Sequence, residues 1–149
     1  MTIRETHPGE YEAITQVWEA SVRATHDFLS DADIAALRPS VLAEYLPAVM
    51  LRVHVDAQDR IRGFVGVAEG KIEMLFIAPE SRGQGIGRQL LDHAVTRLSA
   101  SLVDVNEQNP QATGFYQAMG FELIARSPLD GQGKPFPLLH LRLKQSPPQ

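Results

Sequence analysis

The chain has 149 residues, a net charge of −4 and no cysteine, and 44% of its residues are hydrophobic against 21% charged. That length suits one domain with a single sizeable core, and the balance leaves no compositional case for disorder beyond the ends. An acidic balance with a pI near 5.7 offers no general basic surface for nucleic acid, and the missing cysteines exclude disulfides, thiolate metal sites and a cysteine nucleophile. No secretory leader and no apolar run of roughly 18 residues is read in the chain, so a membrane partner is not expected and the cytoplasm is the expected setting.

From Pro8 to about Thr25, apolar or aromatic residues at Tyr11, Ile14, Val17, Trp18 and Val22 recur at helical spacing, with Pro8 suited to a first turn. Ser30-Asp31-Ala32-Asp33 resembles a capping start for a second helix carrying Ile34, Leu37, Val41, Leu42, Tyr45 and Leu46, with Pro39 marking a kink or break. Val49 to Val55, Ile61 to Ala68 and Lys71 to Ile77 read as a three-strand antiparallel meander, because β-branched and aromatic residues fill them and turn-like Asp56–Asp59 and Glu69-Gly70 separate them. Ile86, Leu90, Leu91, Ala94, Val95 and Leu98 then mark a helix, and Leu102 to Val105 a short strand. Asn109-Pro110 to Met119 predicts another helix, ended by Gly120. Phe121 to Ala125 and Leu138 to Leu143 supply the last two strands, and residues 145–149 read as a flexible tail. The order implies a mixed sheet with helices on both faces.

Between strand and helix stands Arg82-Gly83-Gln84-Gly85-Ile86-Gly87-Arg88. Alternate glycines let the backbone turn sharply and approach a ligand, while a helix starting there points unpaired N–H groups and its positive dipole end at an anion. Pyrophosphate fits such a site, and Arg82 and Arg88 add charge. The run lacks the third glycine of G-x-G-x-x-G and the Gly-Lys-Ser/Thr ending of a P-loop, so a purely steric turn is the competing reading.

Arg82-Gly83-Gln84-Gly85-Ile86-Gly87 resembles, without departure, the Gln/Arg-x-x-Gly-x-Gly/Ala motif of the GCN5-related N-acetyltransferase (GNAT) superfamily. Asn106 to Ala112 followed by Gly114-Phe115-Tyr116-Gln117-Ala118-Met119-Gly120-Phe121 is similar to its second signature, in the same order and spacing. Ala24 to Leu29 and Gly133 to Leu139 further resemble the small bacterial YjaB-like acetyltransferases. The resemblance implies a single-domain α/β (α+β) fold over residues 1–144, a mixed, mostly antiparallel twisted sheet of six to seven strands with about four helices and a splayed central strand pair. It also implies acetyl-CoA as cosubstrate. Its pyrophosphate would lie on the amides of Gly83, Gln84, Gly85, Ile86, Gly87 and Arg88 with Arg82 beside them. Its pantetheine arm would pair with Leu75, Phe76 and Ile77, and a backbone amide near Leu75 would polarise the thioester carbonyl. Asn106 and Asn109 match positions that contact the cofactor. Asn109 before Pro110 reads equally as a helix cap.

Acetyl transfer to an amine needs two proton events. With an amine pKa near 10.4, only about one molecule in a thousand is neutral at pH 7, so a base must act; the departing thiolate must then be protonated. Tyr116 occupies the family's acid position, against the competing reading of an aromatic packed in the core. Glu73 is the first candidate base, since strand alternation places it on one face with Leu75 and Ile77, against an edge-exposed glutamate; His26, at a helix end, is the second. His54, His93 and His140 show no metal-ligand spacing and are expected to be structural or exposed, with no metal. The expected function is transfer of acetyl from acetyl-CoA to a primary amine of a small molecule, a protein lysine or an N-terminus, by direct attack in a ternary complex. The alternative is a non-catalytic acyl-CoA-binding module. Asp27, Asp31, Asp33 and Glu44 hint at a cationic acceptor, and a homodimer is admitted because family members often dimerise.

Overall fold

In the computed structural model, which describes residues 2–26 and 29–144, the chain opens with a strand that the sequence pattern did not announce. This β1 (Thr2–Glu5) is only four residues long and is not buried on either face, so hydrophobic alternation could not reveal it. It is recruited as an edge strand, antiparallel to β2 (Met50–Val55), with Ile3 across from His54. Arg4 anchors it by donating to the Glu10 carboxylate at 2.7 Å and to Asp59 at 3.1 Å.

The chain folds as two units, Met1–Ala100 and Ser101–Gln149. In the first, β1 and β2 are followed by β3 (Ile61–Ala68) and β4 (Lys71–Ile77), each antiparallel to the one before. The β3–β4 connection is a two-residue turn with both φ angles positive, at Glu69 and Gly70, the form that matches strand twist. Phe64 and Val65 are consecutive and both fully buried. Neighbours on a strand point to opposite faces, so the sheet is covered on both. On one side α1 (Tyr11–Thr25) presents Ile14, Trp18 and Val22 to Leu51, Val53, Val55, Phe64 and Met74. The other receives Ile86, Leu90, Leu91 and Ala94 of α3 (Ile86–Arg97). Side chains buried to this degree each contribute about 1.5–3 kcal/mol by leaving water.

The helix α2 (Asp31–Ser40) starts at the expected cap: Ser30 Oγ accepts from the Asp33 N–H, and Asp33 accepts from the Ser30 N–H. Pro39 stands one residue before the end of α2, the expected break between short helical pieces. Its missing N–H removes one helical bond, and the chain widens into a π-helical turn over Val41–Tyr45, where the Leu46 N–H donates to the Val41 carbonyl. That turn buries Val41 and Leu46 against the same core.

The second unit holds β5 (Leu102–Asn106), α4 (Pro110–Ala118), β6 (Phe121–Ser127) and β7 (Leu138–Leu143). β7 lies between the other two strands and is antiparallel to both. Val103, Val105, Leu141, Phe121 and Tyr116 form its buried set. Asp27 and the expected tail, 145–149, lie outside the described residues.

One polar network braces the approach to the glycine loop. The Asp56 carboxylate accepts from the Gln58 and Arg60 amides at 2.9 and 3.0 Å and from Arg62 Nε at 3.0 Å. Arg62 also reaches Glu80 at 3.7 Å, and its carbonyl accepts from the Ala78 N–H at 2.8 Å. The Arg60 amide first, then the Gln58 amide and Arg62, hold the Asp56 carboxyl down at about 2 against an ordinary 3.8. A depressed carboxylate stabilises the fold above its unfolded pKa, and the benefit is lost as pH falls through the folded one. Asp56→Asn is therefore expected to lower the thermal midpoint by a constant amount above about pH 5, with the gap to the parent closing between pH ~4 and ~2. Thermal melts of both proteins across that range check it; a gap independent of pH refutes it.

Candidate active site

β4 does not keep strict alternation. Gly66 faces Met74 across the ladder and Val67 faces Ile72, so Glu73 is one residue too many and forms a bulge. Ile72 and Met74, two apart, consequently serve opposite faces: Met74 joins the core under α1, while Ile77 turns toward Ile86 of α3 beside Gly63. This corrects the expected placement of Glu73 on one face with Leu75 and Ile77. The bulge instead aims Glu73 into a cleft of about 410 Å³ that it lines with Met74, Ala68, Tyr45, Ala48 and Val49. Alternation presumes an unbroken ladder, so it cannot express this placement.

Beyond the bulge, Leu75, Phe76 and Ile77 are half-buried. His26 ends α1, its N–H donating to the Val22 carbonyl at 2.8 Å, and its ring lies 6.3 Å from that of Phe76. Its Nδ1 is 2.8 Å from Thr25 Oγ1. Thus the second candidate base also sits against β4, as a side chain packed on the strand rather than a solvated cap.

After Ile77 a single 3-10 turn, Pro79–Ser81, leads to the glycines. Gly83 and Gly85 hold φ of +77° and +80°, a region in which a side chain is strained, and a Cβ at either would meet nothing within 4 Å. Conformation, not crowding, calls for glycine there, and the space over both is open. Gly85 begins α3 with no side-chain cap, and its carbonyl accepts from the Gln89 N–H at 3.1 Å. The amides of Ile86, Gly87 and Arg88 hence have no acceptor within the helix and point, with its dipole, at the open space. Ile86 is buried and locks the helix start to the sheet. Arg82, Gln84 and Arg88 are exposed, and among the described residues no carboxylate pairs with either arginine. This cradle fits a diphosphate: free amides and a helix dipole end face open space, with the exposed Arg82 and Arg88 flanking them in the chain.

In the second unit, Asn106 ends β5 and its Oδ1 accepts from the Gln108 N–H at 3.1 Å, while Asn109 caps α4 by accepting from the Ala112 N–H at 3.2 Å. Both asparagines therefore do structural work through their oxygens. Tyr116 is 7% exposed and meets Phe115 and Phe121 edge-on at 5.2 and 5.7 Å. Burial pushes its phenol well above the ordinary value, so it stays neutral and is a donor at physiological pH.

Several other polar candidates are engaged within the fold. Asp31 is bound by Arg23 and Asp33 is spent on the α2 cap, so neither supports the hint of a cationic acceptor. His54 is fully buried, with Nε2 2.8 Å from the Gln89 amide oxygen. Burial, with Arg52 and Arg97 nearby, holds His93 below its ordinary range. His140 is neither plainly structural nor free: it sits between Asp104 and Ser127. Sequence reasoning missed that group because its members are on three strands, and no spacing links them. Among the described residues no three His, Asp or Glu side chains gather as a metal site, and no helix is long and apolar enough to cross a membrane.

Residues 27–137 match the acetyltransferase (GNAT) domain model. The chain is 45% identical over 141 residues to the peptidyl-lysine N-acetyltransferase YjaB of Salmonella typhimurium, covering 95% of this chain and 97% of that one. The solution structure of apo-form YjaB from Escherichia coli, 40% identical, superimposes with a TM-score of 0.86 over 97% of this chain and 98% of that one. The fold is shared at 20% identity by yncA from Salmonella typhimurium, solved with its cofactor acetyl-CoA, with a TM-score of 0.66 over 100% of this chain and 98% of that one. An open amide cradle behind a bulged strand, on a chain with these relatives, identifies it as a member of the GCN5-related N-acetyltransferase family, an N-acetyltransferase that takes its acetyl group from acetyl-CoA.

Proposed function

We propose that this enzyme acetylates the ε-amino group of lysine in peptides or proteins, by direct attack of the amine on acetyl-CoA in a ternary complex. The observation that carries the reading is the cleft at the bulge: its walls are Ala48, Val49, Ala68, Met74 and Tyr45, and among the described residues the carboxylate that lines it is Glu73. A lysine side chain has that same division, an aliphatic stem and a charged head. The YjaB relatives are peptidyl-lysine N-acetyltransferases, which supports the same acceptor.

The Gly83–Arg88 amides, with Arg82 and Arg88, hold the diphosphate, and Leu75, Phe76 and Ile77 pair with the pantetheine arm. Bound acetyl-CoA supplies an electrophilic thioester carbonyl. The Leu75 amide polarises that carbonyl. Glu73 removes one proton from the lysine ammonium, with His26 as the second candidate for that task. A C–N bond forms, the C–S bond breaks, and the sulfur takes up a proton, leaving one net proton for solvent. Tyr116 donates to the sulfur. A phenol above pKa 10 facing a thiolate of about 8.5 does so chiefly as a hydrogen-bond donor, because full transfer is uphill. Asn106 and Asn109 keep their amide N–H groups as donors toward the cofactor.

To this reading belong a single catalytic domain over 1–144, supported by a family match that runs through both units, a cytoplasmic setting, and a homodimer. For the dimer, exposed Leu123 and Ile124 on the outer strand β6 offer an apolar contact. A monomer by sedimentation at micromolar concentration would remove the dimer.

Glu73→Gln is expected to lower kcat/KM for a lysine peptide about 10²-fold or more at pH 7, with the deficit shrinking toward pH 10 as the amine loses its proton unaided. Tyr116→Phe should lower kcat by a similar factor at every pH from 7 to 10 while acetyl-CoA affinity holds, since the buried phenol does not ionise in that range. Initial rates and equilibrium titrations check both. Retained acetyl-CoA binding with no transfer to any lysine peptide by the parent enzyme would favour the acyl-CoA-binding module instead.

A further inference from the structure

One face of the second unit's sheet carries Val103, Val105 and Leu141 into the core, and the opposite face carries a polar group that acetyl transfer does not use. Asp104 on β5 stands directly across from His140 on β7, and Ser127 on β6 lies on the same face, across from Leu138. Asp104 Oδ1 is 2.6 Å from His140 Nδ1, and His140 Nε2 is 2.6 Å from Ser127 Oγ. A carboxylate can only accept, so Nδ1 carries a ring proton; when the imidazole is neutral, Nε2 is the acceptor that the Ser127 hydroxyl can donate to. Nucleophile, base and orienting carboxylate thus stand in hydrogen-bond contact in the order that activates serine on unrelated folds. The His140 and Asp104 side chains are 28% and 21% exposed, and Ser127 is half-buried, so the group lies at the surface rather than inside the core.

We propose that Ser127 and His140 form a second catalytic site, with Asp104 as a positioning residue, that hydrolyses small acyl esters. Ser127 Oγ attacks the ester carbonyl as its proton passes to His140 Nε2. The Oγ–C bond forms, the bond to the alcohol oxygen breaks, and the alcohol departs with the proton from Nε2. Water then attacks the acyl-serine, again giving a proton to Nε2, and the acid is released as Ser127 recovers its hydroxyl. Ester and water become acid and alcohol, with no other reactant. Leu138, beside Ser127, supplies an apolar side chain on the same face for a short acyl group.

The test treats the full chain with a fluorophosphonate probe, where Oγ displaces fluoride, and maps the modified peptide by mass spectrometry. In parallel it follows release of p-nitrophenol from p-nitrophenyl acetate. The expected result is a label on Ser127 of the parent protein and ester hydrolysis that is lost in Ser127→Ala, a variant that should keep its thermal stabilisation by acetyl-CoA. His140→Gln should slow labelling about 100-fold or more. Asp104→Asn should abolish a far-downfield imidazole Nδ1 proton resonance as well as slow labelling, which a purely structural role would not do. No label, a label on another residue, or hydrolysis unchanged in Ser127→Ala overturns the proposal. The mapping is made on the parent protein, so a variant that fails to fold does not spare it.

Discussion

A strand that must bury Ile72 on one face and Met74 on the other, two residues later, can do so only by carrying an extra residue between them. Glu73 is that residue, and β4 depends on it. Without the bulge, either Met74 would leave the core beneath α1 or Ile72 would leave the core beneath α3. The carboxylate's position in the cleft follows from this packing conflict. It is held there by two apolar cores, each worth more than one glutamate could contribute to its own placement. The bulge also sets the phase of everything after it, so Ile77 meets Ile86 and the helix α3 starts where it does.

The glycine cradle is the second consequence. Gly63 permits the close approach: a Cβ there would lie 2.9 Å from Ile77 and 3.2 Å from Ile86. Behind the cradle, Asp56, Arg62 and Glu80 tie the β2–β3 turn to the segment leading into the loop. Within the loop, buried Ile86 is the anchor to the sheet. The loop's first helical amides are free because no side chain caps α3, and among the described residues no carboxylate pairs with Arg82 or Arg88. An anion supplies what the fold leaves open. Under the proposed function, that arrangement would make binding of a diphosphate a property of backbone geometry and leave the acceptor to the cleft.

Much of this was legible in the residues. The glycine motif, the helix after it and Asn109-Pro110 at the start of α4 announced themselves through local chemistry, because caps, turns and helical spacing are short-range signals. β1 was not legible, since Thr2–Glu5 buries neither face and is defined only by its partner strand. The passage through Pro39 into a π turn was not, since tertiary burial of Val41 and Leu46 decides it. Glu73 was singled out, but on the wrong face, because alternation presumes an unbroken ladder. The Ser30–Asp33 cap was legible, but the pairing of Asp31 with Arg23 of α1 was not, because only the packing of two helices brings them together. Ser127, His140 and Asp104 carry no signal in one dimension; only strand register joins them.

The claim on which the account turns is that the cradle after β4 takes the diphosphate of coenzyme A. The direct measurement is the thermal midpoint with coenzyme A and with pantetheine, which keeps the thiol arm and lacks the nucleotide and its phosphates. At a hundredfold excess over Kd, coenzyme A should stabilise the protein by about 2.7 kcal/mol, a shift of several degrees, and pantetheine at the same concentration should give almost none. Equal shifts, or no shift with coenzyme A at millimolar concentration, would contradict the assignment of the loop.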